Sequence, residues 1–402
     1  MLGVVGVRGR SLGAWACAMT SVTDADAFLT PNYARFPVEF VRGEGARLWD
    51  VDGAEYLDFL CGISVSSVGH CHPAVVGAIR EQAARLIHVG NLYYTEPMTR
   101  LARRLAECSL GGKVFFTNSG TETVEAALKC ARKARQGGTI VSLHGAFHGR
   151  TYGSLSATPQ ESKQAPFAPL VGGFVSVDAT VEALSTIVDE RTAAVILEPV
   201  QGETGVHVLD DGLLAAARAL CDESGATLIF DEIQTGLGRT GRRWAYEHSG
   251  VVPDLLCTAK ALGGGLPIGA LITGARHADT FAPGDHGSTF AGGAVVCAAA
   301  NAALDILLDE ALLARVRELG ELLRSGLVPF RHVTAVRGEG LMIAFDLDID
   351  AAAVVRRLLL EQRLVANATG PSTVRLLPPL VIGEPEAIDA LERIAAVLET
   401  AP

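Results

Sequence analysis

Three features that often decide the class of a protein are missing from this chain of 402 residues. No uninterrupted apolar run reaches the roughly 20 residues that a helix needs to cross a bilayer, so we expect no membrane partner. Basic residues do not dominate: 34 Lys and Arg stand against 45 Asp and Glu, and the net charge of -11 argues against a nucleic-acid partner. The eight cysteines contain no Cys-x-x-Cys pair. Such scattered cysteines are typical of reduced thiols, which predicts a cytoplasmic protein.

What is present is the composition of an ordinary globular protein. Hydrophobic residues make up 49% of the chain and charged residues 20%, which allows a large buried core. The length predicts two or three domains. Near the start, Arg8 and Arg10 lie among small and apolar residues, and a second methionine, Met19, precedes a polar stretch. We expect residues 1–30 to be a disordered extension or the result of a misassigned start codon, with a weak targeting peptide as the alternative.

Short apolar runs alternate with helical patterns through the middle of the chain. The runs are largely continuous, as expected for strands that are covered on both faces. Helical patterns such as Glu122–Gln136 and Gly212–Ser224 separate most of them. This predicts an α/β fold with a mostly parallel seven-stranded sheet covered by helices. The last two runs are too close for a helical crossover, so the final strand should be antiparallel. The predicted strands are Lys113–Asn118, Thr139–His144, Gly173–Asp178, Ala193–Pro199, Ala226–Glu232, Leu255–Lys260 and Gly269–Gly274.

Both ends of the chain differ from this central block. Before it, Val38–Arg42 and Arg47–Val51 predict a short strand pair. After it, one long helix is expected over Ala294–Leu327, followed by a mixture of strands and helices that predicts a smaller α+β domain. We therefore expect an N-terminal segment over 31–65 that packs with the small domain, a large domain over 66–290 and a small C-terminal domain over 291–402. The elements expected in the small domain lie at Val333–Asp346, Ala351–Gln362, Val374–Leu377 and Glu384–Leu398.

Two residues at predicted strand ends could carry chemistry. Lys260 ends an apolar strand and precedes three glycines, and the carboxyl ends of parallel strands are where α/β proteins bind ligands. Burial lowers the pKa of a lysine, and a neutral amine can attack a carbonyl carbon. Asp231 ends another strand, where a carboxylate could hold a proton on a pyridine nitrogen. Taken singly, a solvent-facing lysine and a loop-capping aspartate are the plainer interpretations.

Two more strand ends complete the candidate site. Asn118-Ser119-Gly120-Thr121 leads from a strand into a helix, where free backbone N–H groups form an anion site and hydroxyls add donors. Phe147 and Arg150 follow a further strand. The ring could stack on a cofactor and the guanidinium could bind a carboxylate through two hydrogen bonds. Four features meet at one sheet edge: a phosphate site, an aromatic ring, an acid and an amine. Their joint occurrence by chance is less expected than that of any one of them.

At these residues the chain resembles the class III aminotransferases of fold type I, which use pyridoxal phosphate, and most of all those that act on acetylornithine. The resemblance runs from about Pro31 to the C-terminus. It rests on the combination of motifs Gly69-His70-Cys71-His72-Pro73, Leu92-Tyr93-Tyr94-Thr95, Asn118-Ser119-Gly120-Thr121-Glu122, Phe147-His148-Gly149-Arg150-Thr151, Leu197-Glu198-Pro199-Val200-Gln201-Gly202-Glu203 and Phe230-Asp231-Glu232-Ile233-Gln234-Thr235-Gly236.

The resemblance implies a role for individual residues of the cofactor site. Lys260 would carry the cofactor covalently and act as the catalytic base. Asp231 would pair with the ring nitrogen, and Phe147 would stack on the ring. The other implied cofactor contacts are Ser119, Gly120 and Thr121 at the phosphate, Gln234 at the ring hydroxyl, the neighbouring Glu232 and Ile233, and Thr289.

The resemblance also implies substrate contacts and a homodimer with shared active sites. Arg150 would bind the carboxylate of acetylornithine, and Arg375 that of 2-oxoglutarate, with Glu203 shielding Arg375 when the other substrate binds. Ser288, beside Thr289, would reach the neighbouring subunit's phosphate or substrate. The segment 291–295 departs from the family's usual Gly-Gly-Asn-Pro-Leu, which leaves the local loop geometry and substrate preference open.

Position 63 bears on the identity of the amino donor. Relatives that use free ornithine have a tyrosine where this chain has Ile63, and an isoleucine cannot make that hydrogen bond. This disfavours free ornithine and favours acetylornithine, N-succinyl-diaminopimelate or 4-aminobutyrate. A protein that binds the cofactor without catalysis is the alternative from a different functional class, which the joint presence of Lys260, Asp231 and Arg150 disfavours.

Two other motifs point to functions that we set aside. Gly236-Leu237-Gly238-Arg239-Thr240-Gly241 has the spacing of a dinucleotide-binding loop, but the residues that follow do not clearly open a helix. His70-Cys71-His72 could suggest a metal. Adjacent side chains point apart, and no further ligand pair stands at zinc spacing, so we predict no metal site.

Overall fold

The computed structural model describes residues 21–401. Most of the predicted extension, residues 1–20, lies outside the described residues, and Ser21–Phe28 forms a helix. Within residues 21–401, no helix combines the length and the apolar character needed to cross a membrane.

The strands and helices are numbered in chain order. The strands are β1 Phe40–Glu44, β2 Arg47–Asp50, β3 Glu55–Asp58, β4 Val114–Thr117, β5 Thr139–Leu143, β6 Phe174–Val177, β7 Thr192–Leu197, β8 Val200–Gln201, β9 His207–Val208, β10 Thr227–Asp231, β11 Leu255–Thr258, β12 Gly269–Thr273, β13 Val333–Glu339, β14 Met342–Leu347, β15 Leu364–Val365, β16 Asn367–Ala368 and β17 Thr373–Leu376. The α-helices are α1 Ser21–Phe28, α2 Cys61–Ser64, α3 Pro73–Ala83, α4 Glu96–Glu107, α5 Gly120–Arg135, α6 Tyr152–Ser156, α7 Glu161–Gln164, α8 Val181–Ile187, α9 Asp211–Ser224, α10 Tyr246–Ser249, α11 Ala294–Leu307, α12 Glu310–Leu327, α13 Ala351–Gln362 and α14 Glu384–Glu399. Turns of 3-10 helix lie at Ala165–Phe167, Lys260–Gly263 and Ala275–His277.

A seven-stranded sheet forms the centre of the molecule, in the order β4-β12-β11-β10-β7-β5-β6. The strand β12 pairs antiparallel with both β11 and β4, whereas β10, β11, β7, β5 and β6 pair in parallel. Every residue of β7, β10, β11 and β12 is buried, which explains why these strands read as continuous apolar runs. The predicted fold class is therefore confirmed, including the antiparallel last strand. Parallel pairing brings the carboxyl ends of several strands to one edge.

Two four-stranded sheets lie outside the large sheet, and one of them combines both ends of the chain. One has the order β1-β2-β3-β15, so the N-terminal strands pair with a strand from beyond residue 360. The other has the order β13-β14-β17-β16 and carries Arg375 on β17. Helices α13 and α14 pack against each other, and α14 also packs against α12. Helix α11, which was predicted to belong to the small domain, packs against α3, α4 and the turn Lys260–Gly263 of the predicted large domain. The domain boundaries at residues 65 and 290 therefore stay predictions.

The long helix predicted over Ala294–Leu327 was wrong in one respect, since it is two helices. The first, α11, ends at Leu307, and α12 begins at Glu310. Asp309 is the N-cap of α12, and its side chain accepts a hydrogen bond from the backbone N–H of Ala311 at 3.1 Å. A capping aspartate satisfies an N–H group that would otherwise lack a partner at a new helix start. The break lets α12 leave α3 and α4 and pack against β13 and β14.

The buried Arg239 ties three distant segments together. Its guanidinium donates to the carbonyl oxygens of Leu341 at 3.0 Å and Pro378 at 2.6 Å, and to the Ser67 hydroxyl at 3.0 Å. Only 1% of the residue is exposed, and burial lowers its pKa. Uncharged oxygens, with the Cys61 Sγ at 3.6 Å, are the acceptors of this side chain. The loop after β10 is thereby fixed to both terminal parts of the chain.

Replacing Arg239 with Met should therefore lower the free energy of unfolding by about 2–4 kcal/mol, because the two carbonyl oxygens lose their donors in a buried place. The matched control is Arg243→Met. Arg243 forms an exposed ion pair with Glu310, and such pairs contribute about 0–1 kcal/mol. Denaturant unfolding of both variants, followed by circular dichroism, measures the difference. Equal losses in the two variants would contradict the structural role given to Arg239.

Candidate active site

A cavity of about 480 Å³ opens at the carboxyl edge of the large sheet. It lies where β4, β5, β7, β10 and β11 end, as expected for a ligand site in an α/β fold. The lining residues are Val65, Asn118, Ser119, Gly120, Thr121, Phe147, His148, Gly149, Arg150, Glu198, Asp231, Ile233, Gln234, Ala259, Lys260, Gly265, Leu266, Pro267 and Ile268. The four strand ends selected from the sequence therefore meet at one cavity.

Lys260 reaches this cavity directly after β11. Its backbone lies in the left-handed region, with φ of +40°, which is uncommon for a residue with a side chain and is found often at functional sites. Burial lowers the pKa of the Lys260 ammonium and outweighs the opposing effect of the Glu203 carboxylate. A larger share of the lysine is therefore neutral near pH 7, as a nucleophile or general base requires.

Asp231 is held by a histidine that the sequence prediction had not assigned a role. The Nδ1 atom of His148 lies 2.8 Å from Asp231 Oδ2, and both side chains are almost completely buried. The other carboxylate oxygen accepts a hydrogen bond from the backbone N–H of Ile233 at 3.1 Å. With partners on both oxygens, the carboxylate has a fixed orientation in the cavity wall. His148 was visible in the sequence beside Phe147, but nothing in the motif indicated which way its ring points.

Glu198 is a second missed residue at the cavity. Its Oε1 accepts a hydrogen bond from the backbone N–H of Phe147 at 2.7 Å, and this bond fixes the start of the segment that carries the ring. Burial raises the pKa of Glu198 to about 7, although the nearby His148 opposes the rise. The sequence signal was the position of Glu198, one residue after a fully buried strand that ends at Leu197.

The first turn of α5 forms the predicted anion site. Ser119 is the N-cap, and its Oγ accepts from the Glu122 N–H at 3.4 Å, while Gly120 begins a helix of 16 residues. The Thr121 hydroxyl lies 2.6 Å from that of Ser154 and accepts from the Arg150 N–H at 3.2 Å. Free N–H groups and the helix dipole at this end attract an anion.

Gly149 is required by this arrangement. A Cβ atom there would lie 2.3 Å from the Thr121 hydroxyl oxygen, which is impossible without moving one of the two segments. Its φ of +129° also lies in the region that favours glycine. The absence of a side chain thus lets the loop that carries Phe147 and Arg150 approach the start of α5.

A second cationic group, Arg375, lies beside Lys260. It is fully buried, and its Nη1 donates to Glu203 Oε1 at 2.7 Å, to the Gly202 carbonyl at 2.9 Å and to Gln234 Oε1 at 3.2 Å. Burial alone would raise the pKa of Glu203, but the charges of Arg375 and Lys260 outweigh it and lower that pKa. The Nη2 atom of Arg375 is buried without a hydrogen-bond partner among the described residues. An unused donor of this kind suits the carboxylate of a ligand.

The chain makes a left-handed turn at α2, next to the cavity residue Val65. The φ angles of Cys61, Gly62, Ile63 and Ser64 are +41°, +66°, +62° and +64°. The carboxylate of Asp58 accepts from the Leu60 and Cys61 N–H groups at 2.9 Å each, which holds the entrance of the turn. The Ile63 side chain packs against an apolar cluster of Val200, Val206, Met342, Ala344 and Leu377. A β-branched residue in this conformation is strained, so surrounding contacts must hold it there.

Five predicted site residues do not line the cavity. Glu203 and Arg375 both bond to the cavity residue Gln234, whereas Glu232, Ser288 and Thr289 have other surroundings. The Glu232 carboxylate instead accepts hydrogen bonds from the Ala245 and Tyr246 N–H groups at 2.6 and 2.9 Å. Glu232 thus accepts from backbone N–H groups at the start of α10, and its side chain points away from the cavity. The structure therefore does not support its predicted contact with the cofactor. Ser288 accepts at its hydroxyl from Asn118 Nδ2 at 2.9 Å, and Thr289 is exposed. The assignment of these two residues to a neighbouring subunit's site stays a prediction.

The residues at the cavity fit pyridoxal phosphate. The helix start at Gly120 suits the phosphate, the Phe147 ring offers a face, and the oriented Asp231 carboxylate suits a protonated ring nitrogen. The Lys260 amine lies in the same cavity. Arg150 also lines it, with its guanidinium carbon 5.8 Å from the centroid of the Phe147 ring.

Replacing His148 with Leu should weaken the binding of pyridoxal phosphate by about tenfold or more, because Asp231 loses the hydrogen bond that orients it in a buried place. His148→Asn is the matched control, since its amide N–H can occupy the position of Nδ1. Titration of the apoenzyme with the cofactor, followed by visible absorption, gives both dissociation constants. Unchanged binding in the Leu variant would argue against the positioning role of His148.

Comparison with known proteins places this geometry in one family. A family model described as aminotransferase class-III matches residues 28–398. The chain is 48% identical to an acetylornithine aminotransferase of Methanopyrus kandleri over 378 residues, which cover 93% of this chain and 97% of the relative. It is 46% identical to one of Methanocaldococcus jannaschii over 370 residues, covering 89% and 92% of the two chains.

Solved structures of similar proteins share this fold. The ornithine aminotransferase of Toxoplasma gondii superposes with a TM-score of 0.90 at 36% identity, covering 96% of both chains. The acetylornithine aminotransferase of Elizabethkingia anophelis gives 0.84 at 33% identity, covering 95% of this chain and 98% of the other. With a family match over nearly the whole chain and relatives at this level of identity, the chain belongs to the class-III aminotransferases, the pyridoxal-phosphate enzymes that its motifs resemble.

Proposed function

We propose that this enzyme transfers the terminal amino group of acetylornithine to 2-oxoglutarate, which gives N-acetylglutamate 5-semialdehyde and glutamate, as a step of arginine biosynthesis. The observation that carries the proposal is the full-length similarity to acetylornithine aminotransferases at 42–48% identity. The apolar contacts of Ile63 support it, because this side chain offers no hydrogen-bonding group for a free α-amino acid end.

The catalytic work of the chain falls mainly on Lys260. Pyridoxal phosphate, when bound, supplies an electron sink for the carbanion that forms at the carbon bearing the amine. The neutral Lys260 Nζ would remove the proton from that carbon as a general base and then, as a general acid, deliver it to the cofactor rather than back to the same carbon. Asp231, oriented by His148, would hold a proton on the ring nitrogen. Phe147 and the turn at Ser119–Thr121 would hold the ring and the phosphate in place.

Two arginines would receive the carboxylates of the two substrates. Arg150, exposed at the cavity, has no ion pair or side-chain hydrogen bond among the described residues, which makes it available to the carboxylate of acetylornithine. Arg375 would bind a carboxylate of 2-oxoglutarate. Its Nη1 bond to Glu203 must then weaken, so Glu203 would cover Arg375 during the other half of the reaction.

We further propose that the enzyme acts as a cytoplasmic homodimer with shared active sites. Large apolar side chains are exposed in the segment around Asn91, which bonds to the Ser288 carbonyl oxygen, and at Phe290 beside Thr289. A second copy of the chain would cover these side chains. Those exposed by 60% or more are Ile87, Leu92, Tyr93, Tyr94 and Phe290. All cysteines among residues 21–401 are free thiols, which suits the reducing cytoplasm.

Replacing Lys260 with Ala should lower kcat by at least about 100-fold, because the proton transfer loses its base. Lys260→Arg should fail similarly, since a guanidinium stays protonated at neutral pH. Lys113→Ala is the control, because Lys113 is an exposed lysine paired with Asp279. It precedes β4 and so lies at the opposite end of that strand from the cavity. Steady-state assays with acetylornithine and 2-oxoglutarate measure the effect. Turnover retained by the Ala variant would refute the role given to Lys260.

Among candidate amino donors, acetylornithine should convert the enzyme-bound cofactor to its amino form fastest. N-succinyl-diaminopimelate, 4-aminobutyrate and free ornithine are the competitors, and the change in visible absorption after a single addition of each donor gives the rates. Ile63→Tyr should shift the preference toward free ornithine, with Ile63→Phe as the control that adds a ring without the hydroxyl. A response to 4-aminobutyrate without one to acetylornithine would overturn the substrate assignment.

A further inference from the structure

A lysine without an assigned role lies beside the substrate arginine. Lys163 belongs to α7, and its Nζ lies 5.8 Å from the centroid of the Phe147 ring. The guanidinium carbon of Arg150 is at the same distance from that centroid. Phe147 and Arg150 both line the cavity. Two cationic side chains therefore lie over one aromatic ring of the cavity wall, and Lys163 approaches that ring from outside the residues that line the cavity.

Neither cation has a carboxylate partner. Among the described residues, Lys163 donates a hydrogen bond to the neutral amide oxygen of Gln160, and Lys163 takes part in no ion pair. The guanidinium of Arg150 likewise has no ion pair within residues 21–401. Glu203, the carboxylate whose charge is felt by Lys163, is already bonded to Arg375 at 2.7 Å. Two neighbouring positive charges without a counterion form an environment that attracts an anion.

The position of Lys163 is fixed by the segment that carries the ring. Gln160 donates through Nε2 to the carbonyl oxygen of Ala146 at 3.0 Å, and Ala146 directly precedes Phe147. The Oε1 atom of the same amide accepts from Lys163 Nζ. On the other side of α7, Gln164 Nε2 donates to the Leu155 carbonyl at 2.9 Å. The ammonium is thus held near the ring by a chain of hydrogen bonds and does not extend freely into solvent.

The surroundings make this ammonium more than a solvated surface charge. Lys163 is half-buried, and burial together with the charge of Arg150 lowers its pKa. A bound carboxylate would relieve both effects, because it offers lone pairs to two donors at once. The geometry and the missing counterion therefore point to the same ligand group.

Building on the proposed function, we propose that Lys163 is a specificity-determining residue that binds, together with Arg150, the carboxylate of the amino donor. Arg150 and Lys163 would hold that carboxylate between them, on the side of the cavity near Phe147. The amine at the other end of the donor would then be directed toward Lys260. Selectivity for donors that carry a carboxylate at the far end follows from this pair of cations.

The test compares a donor with the same donor lacking its carboxylate. Acetylornithine and N-acetyl-1,4-diaminobutane differ in that group, and the donor half-reaction is followed by visible absorption without 2-oxoglutarate. Lys163→Met should raise the half-saturating acetylornithine concentration about tenfold, as expected for a lost hydrogen bond to a charged group, and should leave the maximal rate within about twofold. The response to N-acetyl-1,4-diaminobutane should not change.

Two further variants separate a specific role from a structural one. Lys163→Arg should restore most of the affinity for acetylornithine, because it returns a positive charge to the same place. Lys113→Met removes an exposed charge elsewhere and should behave as the unaltered enzyme. An unchanged half-saturating concentration in Lys163→Met, or an equal rise for both donors, would overturn the proposal.

This experiment also distinguishes the present proposal from the substrate assignment. If the unaltered enzyme does not respond to acetylornithine, the proposed function fails, and the comparison is made with 4-aminobutyrate and propylamine instead. A selective loss of affinity for 4-aminobutyrate in Lys163→Met would support Lys163 as a carboxylate-binding residue whichever donor the enzyme uses. An equal loss of affinity for 4-aminobutyrate and for propylamine in Lys163→Met would overturn that role of Lys163.

Discussion

The hydrogen bond between His148 Nδ1 and Asp231 Oδ2 joins the two halves of the cavity wall. Asp231 ends β10, whereas His148 belongs to the segment after β5, so this one contact links the ring-nitrogen side of the site to the segment with Phe147 and Arg150. The backbone bond from Phe147 to Glu198 connects the same segment to the end of β7. The ends of β5, β7 and β10 are thereby held at fixed separations. The first turn of α5 forms a further part of the cavity wall and bonds to the segment with Arg150. The cofactor site depends on these separations, because its contacts come from segments that are distant in the chain.

Several ionisable side chains are buried at or next to the cavity, and their charges offset one another. Burial favours the neutral form of Lys260 and raises the pKa of Glu198 to about 7. Glu203 behaves in the opposite way, since the charge of Arg375 holds it as a carboxylate. The site thus contains one amine that can accept a proton and one arginine whose charge is already partly compensated. On the proposed function, a carboxylate of 2-oxoglutarate would enter this balance by replacing Glu203.

Much of this arrangement could be predicted from the sequence, and the limits have physical causes. Continuous apolar runs located the seven strands of the large sheet to within one or two residues, because buried parallel strands lack polar alternation. The break before α12 escaped notice, since apolar periodicity continues across Asp309 and capping depends on a single side chain. The directions of Glu232 and His148 could not be predicted either. Both follow or flank a motif residue, but which side of the chain faces the cavity is set by tertiary contacts with α10 and with Asp231.

The left-handed turn at Cys61–Ser64 has a consequence for how the enzyme can change over time. A non-glycine residue with positive φ costs roughly 1–2 kcal/mol, and three of the four residues in this turn are not glycine. Selection for a more stable protein would therefore favour Gly or Asn at position 63, whereas the apolar cluster at Met342 and Leu377 favours the isoleucine that packs against it. Backbone strain and apolar packing thus oppose each other at a single residue, and on the proposed function the same residue would also bear on the choice of donor.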